Sequence, residues 1–149
     1  MTATGHAIIG TVIAAKIGNP ALAIPIALVS HIAADIFPHW DAGTNSKTKT
    51  INRIKREAVI DVLVGFAVSY LLIHFIFPET NLIYAFILII AAQGLDWVTA
   101  PSYMLGWKFP PFNWFYTLSD KTNTRMDKPW GIIGQVWVLL LLIGFAVYL

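Results

Sequence analysis

The sequence predicts an all-α membrane protein, a bundle of about five hydrophobic helices with one short helix at the membrane surface. Hydrophobic side chains make up 57% of the 149 residues and charged side chains only 12%. A soluble domain usually carries about 25% charged residues. The apolar residues form long runs, as is typical of helices that cross a bilayer. Because no linker-like or low-complexity stretch divides the chain, we expect a single integral membrane domain over residues 1–149.

Five hydrophobic segments can be placed along the chain, over residues 4–18, 20–37, 53–77, 82–100 and 129–149. The first is only about 22 Å long as a helix, so it must tilt, thin the ~30 Å hydrocarbon core or enter it partway. Asn19 and Pro20 separate the first two segments, and Pro101 should break or bend the fourth. The last segment is the clearest span, because no charge follows Lys128.

The loops predict the surface helix and the orientation in the membrane. Residues 107–127 contain the aromatic run from Phe112 to Tyr116, and such amphipathic rings suit the headgroup layer. If every segment crosses, nine of the ten lysine and arginine residues fall on one side. That side should be cytoplasmic, so we expect a multi-pass protein of the cell (inner) membrane.

The composition also excludes several classes of protein. There is no cysteine, which rules out disulfides, thiolate metal sites and thiol nucleophiles. The net charge of +2 is carried by loops between apolar runs, so nucleic acid is not an expected partner. His6 and Lys16 interrupt the first apolar stretch, and a cleaved signal peptide is therefore not expected.

Ionisable side chains within the apolar segments indicate the candidate functional site. Each costs roughly 2.5–3.5 kcal/mol at the centre of a membrane helix, so each needs a partner or a purpose. His31 and Asp35 are four residues apart and therefore share one helix face. His39 and Asp41 follow the helix end at Pro38. These four side chains could bind one ion.

The predicted topology brings ligand-type residues from three other segments to the same membrane half. The expected metal ligands are His6, His31, Asp35, His39, Asp41, Asp61 and Asp96. Imidazole and carboxylate together favour a divalent metal, with zinc first and manganese or iron as alternatives. We expect Asp61, His39 or Asp41 to act in catalysis as a general base or at a second metal. The substrate phosphate is expected to bind Arg53, Lys55 and Arg56.

Simpler interpretations stay open for these residues. His31 and Asp35 could form only an interhelical hydrogen bond, because membrane helices use such pairs to associate. His39 and Asp41 could be a loop cluster without a ligand role. Ser30 adjoins His31 but points about 100° away from it on a helix, so a Ser-His-Asp triad is not supported.

Residues 30–41, with His6 in a small-residue helix before them, resemble the LexA-regulated family of small inner-membrane metal-dependent hydrolases. Members of that family have an early histidine, followed by a Pro-Asp-x-Asp-His type of motif at the end of the next helix. The match covers about the first 60 residues. Here Pro38 is followed by His39 and then Asp41, so the order of histidine and aspartate differs. The resemblance implies a hydrolase.

Three functions are open at this point. The leading expectation is a membrane-embedded metal-dependent hydrolase of phosphoesterase type, acting on a lipid or lipid-linked isoprenoid phosphoester at the cytoplasmic interface. The His31-x3-Asp35 element is also similar to one in helical zinc-dependent phospholipases C. The alternatives are a metal or proton transport subunit, and a structural membrane protein with a polar helix-helix network. Transport is less favoured because the outer half carries little beyond His74 and no internal repeat is present.

Overall fold

A computed structural model describes residues 1–148, and Leu149, the last residue of the fifth predicted segment, lies outside the described residues. Residues 1–148 form seven α-helices and one short 3₁₀ helix, with no β-strand. The α-helices are α1 Ala3–Lys16, α2 Pro20–Ile36, α3 Ile51–Phe75, α4 Leu82–Ala92, α5 Gly94–Met104, α6 Phe112–Thr122 and α7 Trp130–Tyr148. The 3₁₀ helix is Ser46–Thr48. The predicted all-α class is confirmed.

Fewer helices than predicted are long enough to cross a membrane. Within residues 1–148, α3 and α7 have the length and hydropathy of a span, and the bent pair α4 and α5 could be a third. The first two predicted segments form helices of only 14 and 17 residues. The fourth segment bends by 53° next to Gln93, whereas Pro101 lies inside α5. The predicted break is therefore present, but about two turns earlier than expected.

Polar residues set the starts of the helices. The side chains of Thr2, Asn19, Thr50 and Asn81 each accept a hydrogen bond from a backbone N–H in the first turn of the helix that follows. Pro20 occupies the first position of α2, where its missing N–H costs no helical hydrogen bond. A capped, apolar run thus begins at each of these positions.

Helix α1 is the innermost helix and packs against α2, α3, α4 and α7. Its small residues allow close approach of the neighbouring helices. A Cβ atom on Gly10 would lie 2.7 Å from the Leu88 carbonyl oxygen and 2.9 Å from Ile89 Cα. Large apolar side chains on the other helices, including Leu63, Ile83 and Leu141, are instead exposed on the outer surface of the bundle. An apolar surface of this kind suits a hydrocarbon solvent.

We expect Gly10→Ala to destabilise the bundle, because the new methyl group must displace the α4 backbone. Overpacking of this kind costs about 1–3 kcal/mol. Gly144→Ala in α7 is the matched control, since a Cβ atom there meets nothing within 4 Å. The control should be neutral or more stable, by up to about 1 kcal/mol, from helix propensity alone. Thermal unfolding of both variants in detergent would measure this, and equal unfolding temperatures would contradict the close α1–α4 packing.

Candidate metal centre

Two buried histidines face each other between α1 and α2. His6 comes from the first turns of α1 and His31 from the second half of α2, and both side chains are buried. Their rings stack with centroids 3.7 Å apart and planes 7° from parallel. Asp96 lies in the first turn of α5, directly after the bend next to Gln93. The bend therefore helps to place this carboxylate at the two imidazoles.

His6, His31 and Asp96 form the group that could hold a metal ion, and we call these three residues the metal group. One ligand atom from each lies within 4.8 Å of the others. Asp35 lies against the same histidines, with Oδ1 3.2 Å from His6 Nε2 and Oδ2 3.3 Å from His31 Nε2. The Met1 nitrogen also contacts Asp35. Side chains from three helices thus converge on a single region.

Backbone carbonyl groups fix the orientation of two histidine rings. His31 Nδ1 lies 2.8 Å from the Ala92 carbonyl oxygen, and His39 Nδ1 lies 2.6 Å from that of Phe37. A carbonyl oxygen can only accept, so each Nδ1 must be the N–H that donates. The other nitrogen, Nε2, then faces the carboxylates. This is the arrangement of metal-binding histidines, whose second nitrogen donates to a carbonyl or carboxylate.

The imidazole nitrogens that face the carboxylates lack hydrogen-bond partners. Both ring nitrogens of His6 and the Nε2 atoms of His31 and His39 are buried without a partner. The Nε2 atoms of His6 and His31 lie close to the Asp35 oxygens, but these contacts do not have hydrogen-bond geometry. A buried polar atom left without a partner costs about 1–3 kcal/mol. A cation placed between nitrogen and oxygen would remove this cost.

The spacing of the donor atoms fits one shared ion. Two ligand atoms about 2.1 Å from a zinc ion stand roughly 3.4 Å apart in tetrahedral geometry. His31 Nε2 lies 3.7 Å from Asp96 Oδ1. Asp35 offers a different oxygen to each imidazole, Oδ1 to His6 at 3.2 Å and Oδ2 to His31 at 3.3 Å. Imidazole nitrogen with carboxylate oxygen is a donor set used by zinc. The residues present therefore fit a divalent metal of this class.

His39 and Asp41 form a second pair beside the metal group. The buried His39 has Nε2 3.9 Å from Asp35 Oδ1 and 3.8 Å from Asp41 Oδ2. Arg125 Nε donates to both Asp41 oxygens, at 3.2 and 3.1 Å. Burial would raise the pKa of the Asp41 carboxyl, but His39 and the Arg125 guanidinium outweigh it and hold the pKa well below its usual range. Asp41 is therefore an anion that orients its neighbours.

The carboxylate of Asp61, expected to bind metal or to act as a catalytic base, is engaged by the start of α1. Its Oδ2 accepts a hydrogen bond from the Ala3 N–H at 2.6 Å. Its Oδ1 accepts from the Thr4 N–H and hydroxyl, at 3.2 and 2.7 Å. A carboxylate at a helix N-terminus satisfies free N–H groups and interacts favourably with the helix dipole. Asp61 thus caps α1 from α3 and lies outside the metal group.

The basic residues expected to bind phosphate also point elsewhere. Arg53 pairs with Glu57, at 2.8 Å, and is largely exposed. Lys55 Nζ donates to the Met104 carbonyl oxygen at 2.7 Å, and Arg56 is exposed. None of the three lines the cavity at the metal group. The position of this basic cluster beside the predicted site suggested a phosphate role, but Arg53 and Lys55 have other partners.

A cavity of about 320 Å³ opens beside the metal group, and we call it the polar cavity. The polar side chains on its wall include Asp41, Asp96, Tyr103, Asp120, Asn123 and Arg125. Because Asp41 and Asp96 also face the buried histidines, a molecule in this cavity would lie next to the proposed ion. The cavity has the size of a small ligand pocket with a few convergent polar groups.

Arg125 is a functional candidate that the sequence did not indicate. It lies in the loop after α6. In the sequence, its positive charge indicated only the orientation of the chain in the membrane. Two long-range backbone hydrogen bonds bring that loop to the site, from His39 N–H to the Thr124 oxygen and from Met126 N–H to the His39 oxygen. Pairing between residues more than 80 positions apart leaves no local pattern to detect.

Comparisons with protein-family models, curated proteins and solved structures gave no match. Similarity to the LexA-regulated hydrolases therefore stays a prediction from the motif. Any functional assignment depends on the geometry of the metal group and the polar cavity.

The capping role of Asp61 can be separated from metal binding. We expect Asp61→Ala to lower the free energy of unfolding by about 1–3 kcal/mol, because buried α1 N–H groups lose their acceptor. Metal content per folded chain should stay unchanged. Glu79→Ala, at an exposed position between α3 and α4, is the control and should alter neither quantity. Loss of metal from well-folded Asp61→Ala protein would instead indicate that Asp61 is a metal ligand.

Proposed function

We propose that the protein is a multi-pass inner-membrane hydrolase that uses a divalent metal, zinc by preference, to cleave a lipid or isoprenoid phosphoester at the cytoplasmic face. One observation carries the proposal. Buried imidazole nitrogens without partners and carboxylate oxygens converge beside a cavity whose wall carries an arginine. Two or three helices with the length and hydropathy of a span support the membrane location.

The proposed ligands are the metal group together with Asp35. When bound, a divalent metal would act as a Lewis acid and make water nucleophilic near neutral pH. The chain's own contribution is to fix the donors. His31 is oriented by the Ala92 carbonyl oxygen, and Asp35 is positioned against both His6 and His31.

His39 is the proposed proton acceptor. Its Nδ1–H is held by the Phe37 carbonyl oxygen, which leaves Nε2 free to take a proton. Asp35 and Asp41, at 3.9 and 3.8 Å, would stabilise the resulting imidazolium. Asp41 connects this histidine to the polar cavity, since it lies on the cavity wall. Here the Phe37 carbonyl oxygen orients the ring, and the role of the two carboxylates would be to stabilise its charged form.

Arg125 is the proposed phosphate-binding residue, in place of Arg53, Lys55 and Arg56. Its side chain is 35% exposed and lies on the wall of the polar cavity. Burial would lower the pKa of this guanidinium, but Asp41 and Asp120 raise it, so the charge is retained. A guanidinium with its Nε held by a carboxylate can present its remaining N–H groups to phosphate oxygens.

We expect His31→Ala to remove the metal. Wild-type protein purified without chelator should hold about one transition-metal ion per chain, and His31→Ala should fall to background. His74→Ala is the control, because His74 is exposed in the last turn of α3 and stacks on Tyr70. Elemental analysis of both variants would measure the difference. Wild-type protein without stoichiometric metal, or a His31→Ala variant that keeps it, would remove the basis of the proposal.

Arg125→Lys should lower kcat/KM for a lipid phosphomonoester by roughly tenfold or more, because a hydrogen bond to a charged group contributes about 1.5–3 kcal/mol. Arg53→Lys is the matched control, since this arginine is exposed and lies outside the polar cavity. Phosphate release from phosphatidic acid or an isoprenyl phosphate in mixed micelles would report the rate. Equal effects of the two substitutions would exclude Arg125 from phosphate binding. If the protein in liposomes instead conducts ions and releases no phosphate, the transport alternative is supported.

A further inference from the structure

A second cavity lies between α3 and α5, and we call it the apolar cavity. Its volume is about 300 Å³. Hydrocarbon side chains dominate its wall, among them Val59, Leu63, Trp97, Ala100 and Met104. Few polar residues line it. Two of them, Gln93 and Asp96, lie where α5 begins. A cavity with this wall suits a ligand without polar groups along most of its length.

The apolar cavity adjoins the polar cavity at the proposed metal centre, because the two share part of their walls. The residues that line both are Ala3, Ala58, Val62, Asp96 and Tyr103. Asp96 belongs to the metal group, so the shared wall reaches the residues proposed to bind the ion. A molecule that extended from one cavity into the other would therefore pass next to the proposed metal ion.

The outer side of the apolar cavity faces the exposed surface of the bundle. Three of its lining residues are exposed there: Val59 by 51%, Leu63 by 63% and Trp97 by 41%. Val59 and Leu63 belong to α3, one of the helices with the length and hydropathy of a membrane span. This side of the cavity would contact the hydrocarbon of a bilayer, so a lipid chain could enter from the membrane without crossing water.

We infer that the apolar cavity binds one hydrocarbon chain of the substrate while the polar cavity holds its phosphate headgroup. The inference rests on the proposed hydrolase function and narrows its substrate class to an amphiphile with an acyl or isoprenyl chain next to the phosphate. A helix of a second protein would not fit, because helices are about 10–12 Å in diameter with their side chains. A single unbranched or methyl-branched chain is slender enough for a space of about 300 Å³.

Ala100→Phe tests the inference by filling the apolar cavity. Ala100 lines the apolar cavity and is absent from the wall of the polar cavity. Ala67→Phe is the matched control, because Ala67 is exposed on α3 and lines neither cavity. The probes are alkylphosphonates from ethyl to octyl, with binding to the metal-loaded protein in nanodiscs measured by calorimetry. Thermal unfolding and metal content of each variant establish that the fold and the ion are intact.

We expect the Kd of wild-type and Ala67→Phe protein to fall with chain length, by roughly fourfold for each methylene taken from water. Ala100→Phe should lose this dependence, so that octylphosphonate binds at least tenfold more weakly while ethylphosphonate is unaffected. If chain length has no effect on wild-type protein, or if Ala100→Phe weakens both probes equally, the apolar cavity is not a chain site.

A second assay distinguishes failure of this inference from failure of the proposed function. Octyl phosphate and ethyl phosphate are offered as substrates, and phosphate release is measured. Chain-dependent binding that Ala100→Phe abolishes, without phosphate release from either compound, would uphold the chain site and reject the hydrolase. Equal turnover of both compounds by wild-type and Ala100→Phe protein would uphold the hydrolase and reject the chain site.

Discussion

The carboxylate of Asp35 lies buried among three imidazoles, and the packing of the helices around it depends on how its charge is compensated. His6, His31 and His39 have Nε2 atoms 3.2, 3.3 and 3.9 Å from its oxygens. A buried ionised carboxylate is costly unless it is paired or binds a metal. The imidazoles cannot complete that pairing as neutral rings, because two of them use their N–H on backbone carbonyls. The Met1 nitrogen contacts one Asp35 oxygen, but the imidazole nitrogens that face the carboxylate stay without partners, and a divalent cation would satisfy them.

The bend between α4 and α5 serves this cluster in two ways. Carbonyl groups in the last turn of a helix lack helical partners. Ala92 is the last residue of α4, and its carbonyl oxygen accepts the N–H of His31. Four residues later, Asp96 reaches the same histidine from α5. Gly10 lets α1 approach α4 at Leu88 and Ala92, which keeps His6 in line with His31. Gly10 and the interruption between α4 and α5 thus keep the proposed ligands close together.

Local patterns predicted the parts of the site that lie on single helices, and long-range contacts decided the rest. The four-residue spacing placed His31 and Asp35 on one face, as the structure does. The predicted topology made Asp61 look equivalent, but its partners are the backbone N–H groups of α1, which no residue type reveals. Composition predicted the all-α class, yet hydropathy alone did not distinguish an innermost helix such as α1 from a membrane span.

The ligand-type residues gather in one region of the described helices, which fits the proposed hydrolysis better than passage of an ion. His6 lies near the start of α1, the pair His31 and Asp35 near the end of α2, and Asp96 at the start of α5. The start of α1, the end of α2 and the bend between α4 and α5 therefore meet at the cluster. A transport path would need polar groups through the full thickness. The proposed phosphate would lie in the polar cavity and its chain in the apolar cavity, and Asp96 belongs to the walls of both.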